Sequence, residues 1–175
     1  ELPVGYLTEV HPVAAGFMRS LANMFTAGME QSGKGGAAIL LDYGFPASEY
    51  YLGQRAQGTL MCHYRHHSHP DPFYLPGLQD ITAHVDFTAM AYAAVRSGLE
   101  MVGYMSQAAF LLAAGLGDRL LQTSPEDARS YLPKANAVQK LTSPAEMGEL
   151  FKVLVVGLGV QLPDQFDHAD QSRRL

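Results

Sequence analysis

Four of the seven histidines of this 175-residue chain, and its only cysteine, fall between Cys62 and His69 in the stretch CHYRHHSH, with Asp71 just beyond. His63, His66, His67, His69, Cys62 and Asp71 are ligand types that suit zinc. Zinc motifs, however, use fixed pairs on a strand-turn or a helix face, and this spacing matches none of them. The bland alternative is a set of surface histidines or partners of backbone carbonyls. The functional one is substrate contact or general-base work, since imidazole titrates near neutrality. No metal is expected. Cys62 has no adjoining helix terminus to activate its thiol. A second candidate is Asp42-Tyr43-Gly44, where a carboxylate and a phenol can orient a substrate by hydrogen bonds. Equally, Asp42 caps a turn there and Gly44 supplies a special backbone angle. His84, within the alternating DITAHVDF, reads first as a packed side chain. Gln107 either binds substrate or caps a helix. Ser48, Ser68 and Ser106 lack the elbow context of a serine hydrolase. Gly33-Lys-Gly-Gly36 precedes an apolar run instead of following one, and no capped helix follows Gly157-Leu-Gly159. No nucleotide-binding fingerprint is therefore present.

The elements that must hold these residues are α/β in kind. Pro12 suits the first turn of a helix running from Val13 to about Met29. Ala37–Leu41 is an unbroken apolar run between glycines, the pattern of a buried strand, which places Asp42-Tyr43-Gly44 past its carboxyl end, where open α/β sheets bind ligands. Residues 45–79 show no sustained period and read as about 35 residues of loop and turn with room for a short helix, a length that is usually functional or mobile. Asp86 or Thr88 caps a helix ending near Ser97. Leu99–Gln107 is a second strand, and Ala108 to about Gln122 is helical with a break at Gly115 or Gly117. Ser124-Pro-Glu-Asp127 reads as a cap with proline at the first helical position. Ser143-Pro-Ala-Glu146 reads as a capping box. Phe151–Val160 is a third strand, rich in β-branched residues. The tail from Pro163 is polar and expected to be loose. A helix crosses between the first two strands.

Composition narrows the function. The chain is 47% hydrophobic and 17% charged, as a folded domain is, and carries a net charge of −5. That balance argues against nucleic-acid binding, which needs a basic excess. A single cysteine excludes an internal disulfide framework and fits a reducing compartment, so a cytoplasmic location is expected. No run of about 18 apolar residues is present, and no membrane span is expected. The first residues, ELPVGYLTEVHPV, resemble neither a signal peptide nor a translation start. Three strands make a thin sheet for this length. The chain is therefore expected to be a fragment whose amino-terminal half is absent.

Five stretches in order carry a family resemblance: LDYGFP from Leu41, GTLMCHYRHHSHPDPF from Gly58, GLQDITAHVDF from Gly77, YMSQAAFLLAAG from Tyr104 and GELFKVLVVGLG from Gly148. Together they resemble the carboxyl-terminal part of the MidA family of S-adenosylmethionine-dependent methyltransferases, whose mitochondrial members methylate protein arginines in assembling respiratory complex I. The long histidine loop is more similar to bacterial members. The resemblance implies a partial Rossmann-like class I methyltransferase fold. Ala37–Leu41 would be its fifth strand, Leu99–Ser106 its sixth and Phe151–Gly157 an antiparallel seventh. Residues 1–166 would form the carboxyl-terminal portion of the methyltransferase domain, with 167–175 a polar tail. The cofactor, S-adenosylmethionine, would be bound mainly by the missing half, leaving the fragment alone inactive. What carries over is the substrate side: Asp42, Tyr43 and Gly44, the Gly58-Thr59-Leu60 turn, His66 and His69, the DITAHVDF segment and Gln107. Asp42 would hold and polarise a guanidinium, with His66 or His69 as partners from the loop. A protein substrate is implied, with the oligomeric state open. Two other classes remain: a non-catalytic interaction module docked through the long loop, and a metal-binding domain centred on His63–Asp71.

Overall fold

The computed structural model describes residues 2–175. In chain order the elements are α1 (Pro12–Ser32), β1 (Gly36–Phe45), α2 (Ala47–Tyr50), β2 (Met61–Tyr64), β3 (His67–His69), β4 (Asp80–Thr82), β5 (Val85–Asp86), α3 (Phe87–Arg96), β6 (Glu100–Ser106), α4 (Gln107–Ala113), α5 (Leu116–Leu121), α6 (Ala128–Thr142) and β7 (Phe151–Leu158). The main sheet runs β5-β1-β7-β6. β7 is antiparallel to both neighbours, with Leu40 opposite Leu154 and Leu154 opposite Tyr104. β1 and β6 are therefore parallel to each other, joined by α3 with β7 inserted between them. This is the arrangement that the resemblance implied.

Each sheet face has its own core. On one face Leu40, Leu154, Val156 and Tyr104 pack under Met18 and Ala22 of α1 and Phe87, Ala91 and Ala94 of α3. On the other, Val153, Val155 and Met105 lie under α4 and Phe166. Each such side chain stabilises the fold by about 1.5–3 kcal/mol on leaving water. β7, the central strand, is buried along six successive residues from Lys152. That is why it reads as a continuous apolar run and not as an alternating one.

Several expectations need correction. β1 extends to Phe45, so Asp42, Tyr43 and Gly44 lie inside the strand and not beyond it. It continues because Phe151 pairs with Tyr43 and Val85 pairs with Gly44. Gly44 is required by this crossing: a Cβ there would come within 2.1 Å of the Val85 carbonyl oxygen. Residues 45–79 are not an aperiodic loop. They include α2 and the β2–β3 hairpin, which β4 extends into a three-stranded antiparallel sheet. Strands of three and four residues are too short to leave a legible period.

Ser124 does not start a helix. Asp127, three residues on, accepts from the Ser130 amide and begins α6. Nor is Ser143 a capping box. Pro144 holds it extended, at ψ 128°, so it ends α6, and its carbonyl takes the Glu146 and Gly148 amides in a run of turns leading to β7. Gln107 is buried and donates to the Leu141 carbonyl, tying α4 to α6.

The tail is docked, not loose. The Tyr104 amide donates to Asp170 at 2.9 Å, and the Gln171 amide donates to the Tyr104 carbonyl at 2.6 Å, which closes the outer edge of β6. Arg174 then pairs with Glu49, and Leu175 packs on the α1–α3 core. Among the described residues no helix is long and apolar enough to cross a membrane.

Candidate substrate-side site

The site is built around one clamped carboxylate. Glu9, just ahead of α1, accepts from the Thr59 amide (2.9 and 3.0 Å), the Thr59 hydroxyl (3.0 Å), the Leu60 amide (3.0 Å) and the Tyr50 hydroxyl (3.3 Å). Burial alone would raise its pKa. The bonds from Thr59 and Leu60 outweigh burial and hold it below the ordinary carboxylate value. Gly58 makes this clamp possible. Its φ is +77°, and a Cβ there would stand 2.3 Å from Glu9 Oε1.

Thr59 also reaches the next segment, because its hydroxyl oxygen accepts the His84 amide at 3.0 Å. The His84 ring then lies 5.0 Å from that of Phe45 and edge-on to Tyr43 at 5.3 Å. The Arg55 guanidinium sits 3.9 Å from the centre of the Phe45 ring. Burial first, and Arg55 second, push the His84 pKa down, so the imidazole is neutral at pH 7. Its Nδ1 is buried with no partner.

These residues open onto a groove of about 920 Å³. Glu9, Asp42, Tyr50, Tyr51, His84 and Asp86 line its upper end, at the carboxyl end of β1. Asp42 spends Oδ1 on the Tyr43 amide, and Asp86 spends Oδ1 on the Ala89 amide as the cap of α3. Burial and the Asp86 charge push the Tyr51 phenol up to about 12.

The residues singled out from sequence therefore divide. Asp42 lines the groove, and Tyr43 frames His84 behind it. His66 and His69 belong to the hairpin instead. His66 occupies its turn with φ +68°, and His69 packs edge-on to Tyr74 at 5.1 Å with Nδ1 accepting the Asp71 amide. Neither lines the groove. Among the described residues no three histidine, cysteine or acidic side chains converge as metal ligands. Cys62 is fully buried, and burial, helped by the Asp71 charge, pushes its thiol up and disfavours the thiolate. Sequence reading missed Glu9, Tyr50 and Tyr51. A glutamate followed by VHP at a helix start carries no chemical signature, and its partners lie 41 to 51 positions away.

The glycines on either side of β1's start are used for packing. A Cβ on Gly35 would meet the Leu158 carbonyl at 2.4 Å, so Gly35 and Gly159 pack a turn against each other. No residue of this chain is assigned to hold a cofactor.

Residues 1–105 match a family described as "Putative S-adenosyl-L-methionine-dependent methyltransferase". The chain is 32% identical over 131 residues to the protein arginine methyltransferase NDUFAF7 homolog, mitochondrial, of Drosophila melanogaster, covering 72% of this chain and 28% of that protein. It is 52% identical, with a TM-score of 0.89, to a "likely methyl transferase" from Burkholderia thailandensis whose crystal structure has S-adenosyl-homocysteine bound. All of this chain and 43% of that one are covered. A native crystal structure of an uncharacterised protein from the same organism gives 52% identity, a TM-score of 0.90 and 45% coverage of its length. The chain thus spans less than half the length of these relatives. With three-fifths of it matched and its whole fold shared, the chain belongs to the MidA-like family of S-adenosylmethionine-dependent methyltransferases.

Proposed function

We propose that this chain is the substrate-binding side of an S-adenosylmethionine-dependent methyltransferase acting on a protein arginine. The observation that carries the reading is the Burkholderia thailandensis structure. Its 52% identity runs over the whole of this chain, and it binds S-adenosyl-homocysteine, the demethylated form of the methyl donor. The fruit-fly relative supports arginine as the acceptor by its name. In this reading the methyl donor is held mainly by the remainder of a longer cytoplasmic protein.

Within this chain the work is positioning. Asp42 keeps one carboxylate oxygen free of intramolecular bonds among the described residues, and the Asp86 carboxylate meets the Tyr51 hydroxyl in the same groove. Carboxylates that line one groove can take a guanidinium by charge-assisted hydrogen bonds and hold its plane. Tyr43 fixes the His84 ring, and His66 and His69 extend the substrate surface along the hairpin. Calorimetry with S-adenosylmethionine tests the reading. A protein of the relatives' full length should bind the cofactor and transfer a labelled methyl group to a protein. The 175-residue chain alone should bind it at least tenfold more weakly. No binding by the full-length protein would refute the reading.

A further inference from the structure

The groove has two electrically different ends. Asp42, Asp86 and the neutral His84 form the upper one. From there it follows the seam between α1 and α3, lined by the small side chains of Ala14, Ala15, Ala89 and Ala93. Arg19 on α1 and Arg96 on α3 line the other end. Arg96 is ten positions beyond Asp86 along α3, and Arg19 is eight beyond His11 along α1, displacements of about 15 and 12 Å. The two helices run the same way, so both arginines lie beyond the acidic end, with the Arg19 guanidinium turned back to 3.6 Å from where a Cβ on Gly16 would stand. Arg96 lies along the wall, its guanidinium 5.5 Å from the Tyr92 ring centre. Neither arginine has a carboxylate partner among the described residues, where Arg174–Glu49 is the ion pair present.

We propose that this groove binds an extended peptide of the protein substrate, with the target arginine between Asp42 and Asp86 and an acidic residue of the same peptide against Arg19 and Arg96. This rests on the methyl-transfer reading. An extended chain advances about 3.4 Å per residue, so a separation of about 12–15 Å places the acidic residue about four positions from the arginine. Charge complementarity selects this occupant: a uniformly basic or uniformly acidic segment meets repulsion at one end.

Short blocked peptides of glycine, serine and alanine test it, each with one arginine and one glutamate at that spacing on either side. Fluorescence anisotropy with the 175-residue chain needs no cofactor. One of the two orientations should bind roughly tenfold more tightly than a peptide with lysine in place of the glutamate. Arg19 and Arg96 are both exposed, so the double variant Arg19→Glu/Arg96→Glu keeps the fold and should invert the preference toward the lysine peptide. Equal binding of the peptides, no binding of either, or an unchanged preference in the double variant overturns the proposal. Cofactor calorimetry is a separate measurement. Binding of S-adenosylmethionine without peptide selectivity sinks this inference alone, whereas selectivity without cofactor binding sinks the methyl-transfer reading.

Discussion

Glu9 holds together three segments that are remote in sequence, and its contribution can be measured. Glu9→Gln keeps the size but weakens four charge-assisted bonds, and Glu9→Ala removes them. The alanine variant should lose about 2–3 kcal/mol of unfolding free energy in urea at pH 7, and the glutamine variant about half that. The pH dependence has a definite sign. The folded carboxyl is more acidic than the unfolded one, so its contribution is complete above the unfolded value of about 4.3. It drains as pH falls, because the unfolded chain takes up the proton first, and it is gone once the folded carboxyl protonates as well. The gap in Tm between wild type and Glu9→Gln should close as pH falls from about 5 toward 3. A gap that persists at low pH means that the clamp acts through packing and not through charge. Gly58→Ala attacks the same clamp from the backbone. Strain at positive φ and collision with Glu9 Oε1 should together cost about 2 kcal/mol.

The β2–β3 hairpin shows both what the sequence discloses and what it conceals. Long apolar runs disclosed the three main strands: β7 because burial on both faces leaves a continuous signal, and β1 although Ile39 and Leu41 on one of its faces are exposed. β2, β3 and β4 were concealed because each is three or four residues long and half exposed. The turn concealed them further. Arg65 and His66 both adopt positive φ, at 49° and 68°, where a two-residue hairpin loop normally has Asn-Gly. Likewise Asp42 was legible as a site residue, whereas Glu9 was not, since its role exists only once Thr59 and Leu60 fold back onto it. The turn yields a prediction at this scale. Replacing Arg65-His66 by Asn-Gly relieves left-handed strain at two positions and should raise stability by about 1–2 kcal/mol, read as a higher urea midpoint. If the strain is retained for substrate contact at His66, the same double variant should raise KM for the protein substrate while leaving cofactor affinity unchanged.

The two faces of the main sheet are covered unequally. α4 and the docked tail cover Val153 and Val155 of β7, but Ile39 and Leu41 on the same face of β1 remain 57% and 46% exposed. Among the described residues the outer edge of β1 is paired only at Gly44 and Phe45, so most of its backbone groups there face no strand. An apolar face beside an open edge favours pairing between chains. The 175-residue chain by itself should therefore sediment as concentration-dependent oligomers. Leu41→Lys, which puts a charge on that face, should return it toward monomer with little loss of stability. In a protein of the relatives' full length the same substitution should have the opposite sign. If the remaining chain covers this face, a lysine there is a buried unpaired charge, costing about 3 kcal/mol or more in urea unfolding. The two contexts share every residue of this chain, so a reversal of sign assigns the face of β1 to contact with the rest of the protein. A Leu41→Lys variant equally harmless in both would show that the face is solvent-exposed in the whole molecule too. The self-association would then belong to the open edge alone.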